Sequence, residues 1–180
     1  EKATVTNYLH DLDDVIAWAK KQPWYQEPFV LFGSSLGGMC ILLYAQQHPE
    51  KVKALVPNVT VVSGQLSLEA HKKSNPTELA EWQKTGWRKT ISTSKNGTIK
   101  RLPWSHMEDR LRYDILPKTP RLTMPVLLIG GEKDTSTPID HIEILFKALP
   151  GKKEFHIIKD APHTFIEPRH LTELRNVLAK

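Results

Sequence analysis

The sequence predicts an α/β fold, a mainly parallel sheet flanked by helices and interrupted by a helical insertion, on three observations. Four short apolar runs bounded by turn residues alternate with helical patterns, which requires crossover connections and therefore parallel strands. One stretch, residues 64–121, breaks the alternation and differs in composition. The length of 180 residues, 39% hydrophobic, suits about one domain with one core. The expected divisions are 1–63, 64–121 and 122–180.

The elements follow in order. Leu9, Leu12, Val15, Ile16 and Ala19 recur every three or four residues, one apolar stripe of a helix over 6–21 that Pro23 closes. Phe29-Val30-Leu31-Phe32 is apolar on both faces, as a buried parallel strand is, and leads into Gly33-Ser34-Ser35-Leu36-Gly37-Gly38. A helix over 36–47 ends before His48-Pro49, because a residue preceding proline is pushed out of the helical region. Residues 53–62 read as the next strand. The insertion holds Trp82, Trp87 and Trp104, no strand-like apolar run, and 12 basic against six acidic residues, so it carries the whole basic excess. Beyond it come a strand over 126–129, a helix over 138–149, a strand over 154–158 and a helix over 171–180.

Charge and composition exclude several classes. Lys and Arg number 25 against 20 Asp and Glu, a net +5 without dense basic runs, so no nucleic-acid partner is expected. A single cysteine, Cys40, cannot close an internal disulfide, and no Cys/His spacing suits zinc. No run approaches the roughly 18–20 apolar residues of a membrane span. The default compartment is cytoplasmic, although a chain beginning at Glu1 leaves room for a removed leader.

Gly33-Ser34-Ser35-Leu36-Gly37 fits G-x-S-x-G, in which a serine nucleophile sits on a sharp strand-to-helix turn. The pattern alone is weak and also fits a glycine-rich connector. Its position, directly after an apolar strand and directly before an apolar helix, is what the chemistry requires. The turn demands small neighbours, so side chains at Gly33 and Gly37 are expected to collide with the adjoining strand and helix. A serine needs a histidine to take its proton and a third group to orient that histidine. Gly130-Gly131-Glu132-Lys133-Asp134 follows one later strand and Lys159-Asp160-Ala161-Pro162-His163 the next, in the chain order Ser, Asp, His.

With these residues and Ala161-Pro162-His163-Thr164-Phe165 the chain resembles an α/β-hydrolase, of the serine esterase, monoacylglycerol-lipase-like and S33-peptidase-like branch. The resemblance covers nearly the whole chain, with 64–121 matching only in role, as a cap that shapes an acyl pocket. It implies Ser35 as nucleophile, Asp134 as orienting acid, His163 as general base and the Leu36 N–H as an oxyanion donor. One departure stands out: the family has about four further strands ahead of the first helix here, with a His-Gly-type loop giving a second oxyanion donor. The reading is therefore the C-terminal part of that fold, with the natural protein longer or another chain completing the sheet. As an edge, Phe29–Phe32 invites pairing with a second copy, a route to a homo-oligomer.

Other assignments compete. Asp160, three residues before His163, is the alternative acid. His10, His48, His71, His141, His156 and His170 read as surface or helix-end residues, and His106, beside Trp104, as the one candidate for lining the pocket. Cys40 reads as an inert packing thiol. The three tryptophans either line an acyl pocket or glue the insertion to the core. The basic insertion either meets an anionic substrate or lipid surface or is a solvated face, the simpler reading. No phosphate-cradling pattern is present. The expected activity is cleavage of small-molecule carboxylic esters through an acyl-enzyme, with no metal or organic cofactor. A thioesterase, a peptidase, a lyase, or a binding module with a relic triad are the alternatives.

Overall fold

The computed structural model describes residues 3–91 and 98–179. Helix α1 (Val5–Ala19) is capped by Thr4, whose side chain accepts from the Asn7 N–H. Strand β1 (Phe29–Ser34) runs through Ser35 alone into α2 (Leu36–Gln47), and a short 3₁₀ turn leads to β2 (Val52–Asn58). After a long excursion come β5 (Val126–Gly131), α6 (Ile139–Ala148), β6 (Lys153–Ile158) and α7 (Pro168–Leu178). The four strands form one parallel sheet in the order β1-β2-β5-β6.

Alternation along the strands sorts the core into two layers, because successive side chains point to opposite faces. Leu55, Val126 and Leu128 pack with α1, α2 and α6 on one face, whereas Val56, Leu127, Ile129 and Ile158 pack with α7 on the other. Strands β1 and β6 are the two edges of this sheet among the described residues, β1 as its isolation in the sequence predicts. Val30 and Phe32 on its open face are 55% and 50% exposed.

The excursion between β2 and β5 differs in part from the helical expectation. It contains α3 (Gly64–Ser74), α4 (Pro76–Thr85) and α5 (Ser105–Arg110), but also an antiparallel hairpin of β3 (Trp87–Ile91) and β4 (Ile99–Pro103). Residues 92–97 between those strands lie outside the described residues. The hairpin was hidden because Arg88, Lys89, Lys100 and Arg101 interrupt its apolar positions and most of it faces solvent. The excursion has a small core of its own, Leu79, Trp82 and Met107, with Trp104 set edge-on to Trp82 at 5.2 Å. Its neck closes where Ser63 bridges Asp114 and the Gly64 N–H donates to the Tyr113 carbonyl at 2.9 Å. Trp82 and Trp104 thus hold the excursion together, whereas Trp87 stays largely exposed.

Candidate functional site

The turn at Ser35 is built as its sequence context requires. Ser35 has φ 55 and ψ −119, a conformation that costs a non-glycine residue roughly 1–3 kcal/mol. Neighbouring strands hold it there: its N–H donates to the Asn58 carbonyl at 2.9 Å and its carbonyl accepts from the Val61 N–H at 3.3 Å. A Cβ on Gly33 would lie 2.6 Å from the Gly37 carbonyl carbon, so that glycine is required. Gly37 corrects the expectation, since a Cβ there meets nothing within 4 Å. The second crowded position is Gly38, whose Cβ would sit 2.5 Å from Thr60 Oγ1, because it is Gly38 that faces the segment leaving β2. The Leu36 N–H, at the open first turn of α2, has no partner among the described residues.

The acid and histidine loops are tied to each other by backbone bonds. Glu132 N–H donates to the Ile158 carbonyl and Lys133 N–H to the Ala161 carbonyl, at 3.0 and 2.9 Å. Gly131 permits the approach, since a Cβ there would lie 2.5 Å from the Ala161 carbonyl oxygen. The result brings Ser35, His163 and Asp134 into one chain of hydrogen bonds. Ser35 Oγ is 2.8 Å from His163 Nε2, and His163 Nδ1 is 2.7 Å from Asp134 Oδ2. An ionised carboxylate only accepts, so Nδ1 carries the proton and Nε2 is free to accept from the serine.

Asp134 is buried. Burial pushes its pKa up, but bonds from His163 and Thr137 and the charge of His163 outweigh this and hold it below the ordinary value. Its Oδ1 accepts from the Ser136 and Thr137 N–H groups at 2.8 and 2.9 Å. Thr137 Oγ1 lies 2.6 Å from Asp134 Oδ2 and 3.0 Å from the Val59 carbonyl, bracing the carboxylate against β2's exit. Asp160 faces elsewhere, pairing with Lys133 at 2.6 Å. Cys40 is buried, and burial followed by the charge of Asp109 raises its thiol to about 11.

Ser35 and His163 line two cavities. One, of about 340 Å³, is faced largely by Phe32, Phe165, Leu171 and Leu174. The other, of about 210 Å³, is faced by Ser67, His71, Arg88, Arg110 and Thr137. Sequence reasoning read His71 as a surface or helix-end residue, and it does stand in the last turn of α3, but its place on this cavity wall was not foreseen, and Thr137 and the two arginines were passed over. No local pattern marks them, since they reach the site through the fold of the excursion. His106, the expected pocket histidine, lines neither cavity and instead bonds the Ala3 carbonyl and the Arg110 guanidinium. No tryptophan faces either cavity.

Comparison with known proteins gives consistent likenesses. The model of the prolyl oligopeptidase family matches residues 1–179. The mouse protein named palmitoyl-protein thioesterase ABHD10, mitochondrial, is 33% identical over 111 residues, 62% of this chain and 37% of its own length. The chain thus aligns with little more than a third of that curated relative. The solved structure of mouse alpha/beta hydrolase domain-containing protein 10 superposes with a TM-score of 0.73 at 24% identity, over 99% of this chain and 69% of that one. The monoacylglycerol lipase of Paleococcus ferrophilus gives 0.67 at 20% identity, over 98% and 74%.

Proposed function

The chain belongs to the prolyl oligopeptidase family and has the α/β-hydrolase fold, and on that premise we propose that it is a serine hydrolase that cleaves carboxylic esters through an acyl-enzyme on Ser35. The observation that carries this reading is the pair of distances, 2.8 Å from Ser35 Oγ to His163 Nε2 and 2.7 Å from His163 Nδ1 to Asp134 Oδ2. Neutral His163 takes the Ser35 proton as Oγ attacks the carbonyl carbon. The tetrahedral oxyanion is met by the Leu36 N–H at the start of α2. Collapse expels the alcohol, which leaves with the proton from Nε2. Water then attacks the acyl group with the same base, the acid departs, and Ser35 regains its proton. Asp134 fixes the imidazole and stabilises its cationic form. The excursion between β2 and β5 serves as the roof, contributing His71, Arg88 and Arg110 to the cavity beside Ser35.

Thioester cleavage is the second reading, favoured by the name of the mouse relative. The same nucleophile and base serve it, the leaving group being a thiol that needs less help to depart. Intact-mass measurement after exposure to a fluorophosphonate tests the nucleophile without a known substrate. One adduct on the parent chain and none on Ser35→Ala or His163→Ala is expected. No adduct on folded parent chain overturns the assignment.

A further inference from the structure

We propose that the 210 Å³ cavity beside Ser35 is an anion subsite, and that the preferred substrates are esters or thioesters carrying a carboxylate close to the scissile bond. The inference rests on Ser35 as the nucleophile and adds the substrate class. The cavity is smaller than the roughly 300 Å³ at which whole-ligand pockets begin, so it suits one group of a substrate.

Its lining is unusual for an esterase site of simple apolar acyl chains. Two guanidiniums, Arg88 and Arg110, face the same small space as the nucleophile. Arg110 is half-buried with its Nε shut off from solvent, yet its partners are neutral: Nη1 donates to Ser67 Oγ at 2.8 Å and Nη2 meets His106 Nε2. No carboxylate lies within 4.0 Å of it among the described residues, and its Nε has no hydrogen-bond partner. A buried cation without a counter-charge is costly, and an anion entering the cavity removes that cost. Arg88 is paired with Glu78, 3.1 Å from its Nε, and lies over the Trp82 ring, 5.6 Å from its centroid. The pair therefore brings two positive charges against one negative.

The surrounding groups respond to that field. His71, on the cavity wall, is held below its ordinary pKa by burial and then by Arg88, with Arg110 adding to the effect and Glu78 opposing it. Its Nε2 is buried with no hydrogen-bond partner, 3.9 Å from Glu78. Ser67 and Thr137 border the same space, and the Ser67 hydroxyl, which accepts from Arg110, still has its own proton to give. Two guanidiniums, an imidazole and the Ser67 hydroxyl converging on one cavity are what a carboxylate requires, and a charge-assisted pair contributes a factor of roughly ten to a hundred in affinity.

Two matched ester pairs read the preference in kcat/KM. Mono-4-nitrophenyl glutarate is set against 4-nitrophenyl valerate, with the charge on the acyl side. 4-Carboxyphenyl butyrate is set against its methyl ester, with the charge on the leaving group. The parent chain is expected to favour the charged member of one pair at least tenfold. That ratio should fall at least tenfold in Arg88→Gln and Arg110→Gln, and less in Arg110→Lys. Ratios near one in both pairs, or ratios unmoved by the arginine variants, overturn the proposal. Should Arg110→Gln not fold, Arg88→Gln and Arg110→Lys carry the test.

Calorimetric titration of Ser35→Ala with glutarate, dimethyl glutarate and inorganic phosphate separates this inference from the nucleophile assignment. Saturable glutarate binding that Arg88→Gln abolishes supports the subsite even if no ester is turned over. Ester turnover without charge preference and without glutarate binding leaves the serine hydrolase standing and removes the subsite. Phosphate binding tighter than glutarate overturns the carboxylate assignment in favour of a phosphate group.

Discussion

Replacing Asp134 by asparagine isolates the orienting role from everything else the residue does. The Asp134 Oδ1 accepts from two backbone N–H groups, of Ser136 and Thr137, so the asparagine oxygen must take that place. Its amide nitrogen then faces His163 Nδ1 and Thr137 Oγ1, where Oδ2 was. Thr137 can accept from the amide while donating its own proton to the Val59 carbonyl, 3.0 Å away, so the loop stays satisfied. His163 cannot adapt so cheaply. With a donor opposite, Nδ1 must accept, the ring proton moves to Nε2, and the nitrogen 2.8 Å from Ser35 Oγ no longer takes a proton. A tautomer error of this kind costs about 10⁴ in rate, about 5 kcal/mol of barrier. The assay is the rate of fluorophosphonate labelling and of 4-nitrophenyl ester release, beside a melting curve. Asp134→Asn should melt within a few degrees of the parent and react 10³- to 10⁴-fold more slowly, by that same order-of-magnitude argument. A folded variant within about tenfold of the parent refutes the chain from Asp134 through His163 to Ser35.

Four further outcomes are expected. Gly38→Ala, with its Cβ 2.5 Å from Thr60 Oγ1, should lose about 1–3 kcal/mol by overpacking, whereas Gly37→Ala, with nothing within 4 Å, should be neutral or gain up to about 1 kcal/mol of helix propensity; thermal unfolding distinguishes them. Cys40, buried and raised to about 11, should resist iodoacetamide at pH 8 in the folded chain and react only after denaturation, as mass spectrometry would show. Because the folded Asp134 titrates below the ordinary aspartate value of 3.8, its contribution is present above that value and disappears as pH falls through the lower folded pKa. Chemical denaturation should therefore show the parent losing stability relative to Asp134→Asn as the pH falls below about 4. Pairing of two copies through the edge strand β1 is put to the test by light scattering: Val30→Lys should associate less than the parent chain with little change in melting temperature, and a monomeric parent chain refutes the pairing.

What was legible in the sequence follows from how local each signal is. The Ser35 turn needs an apolar strand, small neighbours and a helix within a dozen residues, so adjacent letters disclose it. Asp134 and His163 were legible because each follows its own apolar strand, and parallel strands bring their carboxyl ends to one edge. Asp134 was preferred over Asp160 because a spacing of three residues on a short loop need not aim a carboxylate at the ring; in the structure Asp160 pairs with Lys133 and Arg169 instead. The β3–β4 hairpin escaped because charged residues break its alternation. The cationic cavity escaped for a different reason: His71, Arg88 and Arg110 come from α3, β3 and α5, and only the packing around Trp82 and Met107 brings those elements over Ser35. The net charge of that segment announced an excess of cations without saying that two of them turn inward.

Among the described residues, left-handed backbone in non-glycine residues gathers around the site. Among the described residues the non-glycine positions with positive φ are Ser35, Val59 and Asp160, each just beyond the end of a parallel strand. At φ 42, Val59 is the most costly, since a β-branched side chain is crowded there. Such conformations persist only when the surroundings over-determine them. Ser35 is held by Asn58 and Val61, and Val59 donates to the Ile129 carbonyl at 2.7 Å while its own carbonyl accepts from Thr137. Asp160 donates its N–H to Glu132 at 2.8 Å and its carboxylate pairs with Lys133. Each strained turn is thus fixed by atoms of another strand's loop. The serine turn leans on β2's exit, that exit leans on the acid loop, and the acid loop leans on the histidine loop. A circuit of this kind explains how the 2.8 and 2.7 Å hydrogen bonds are held: the sheet positions the backbones, and the mutual bracing leaves the three side chains little room to separate.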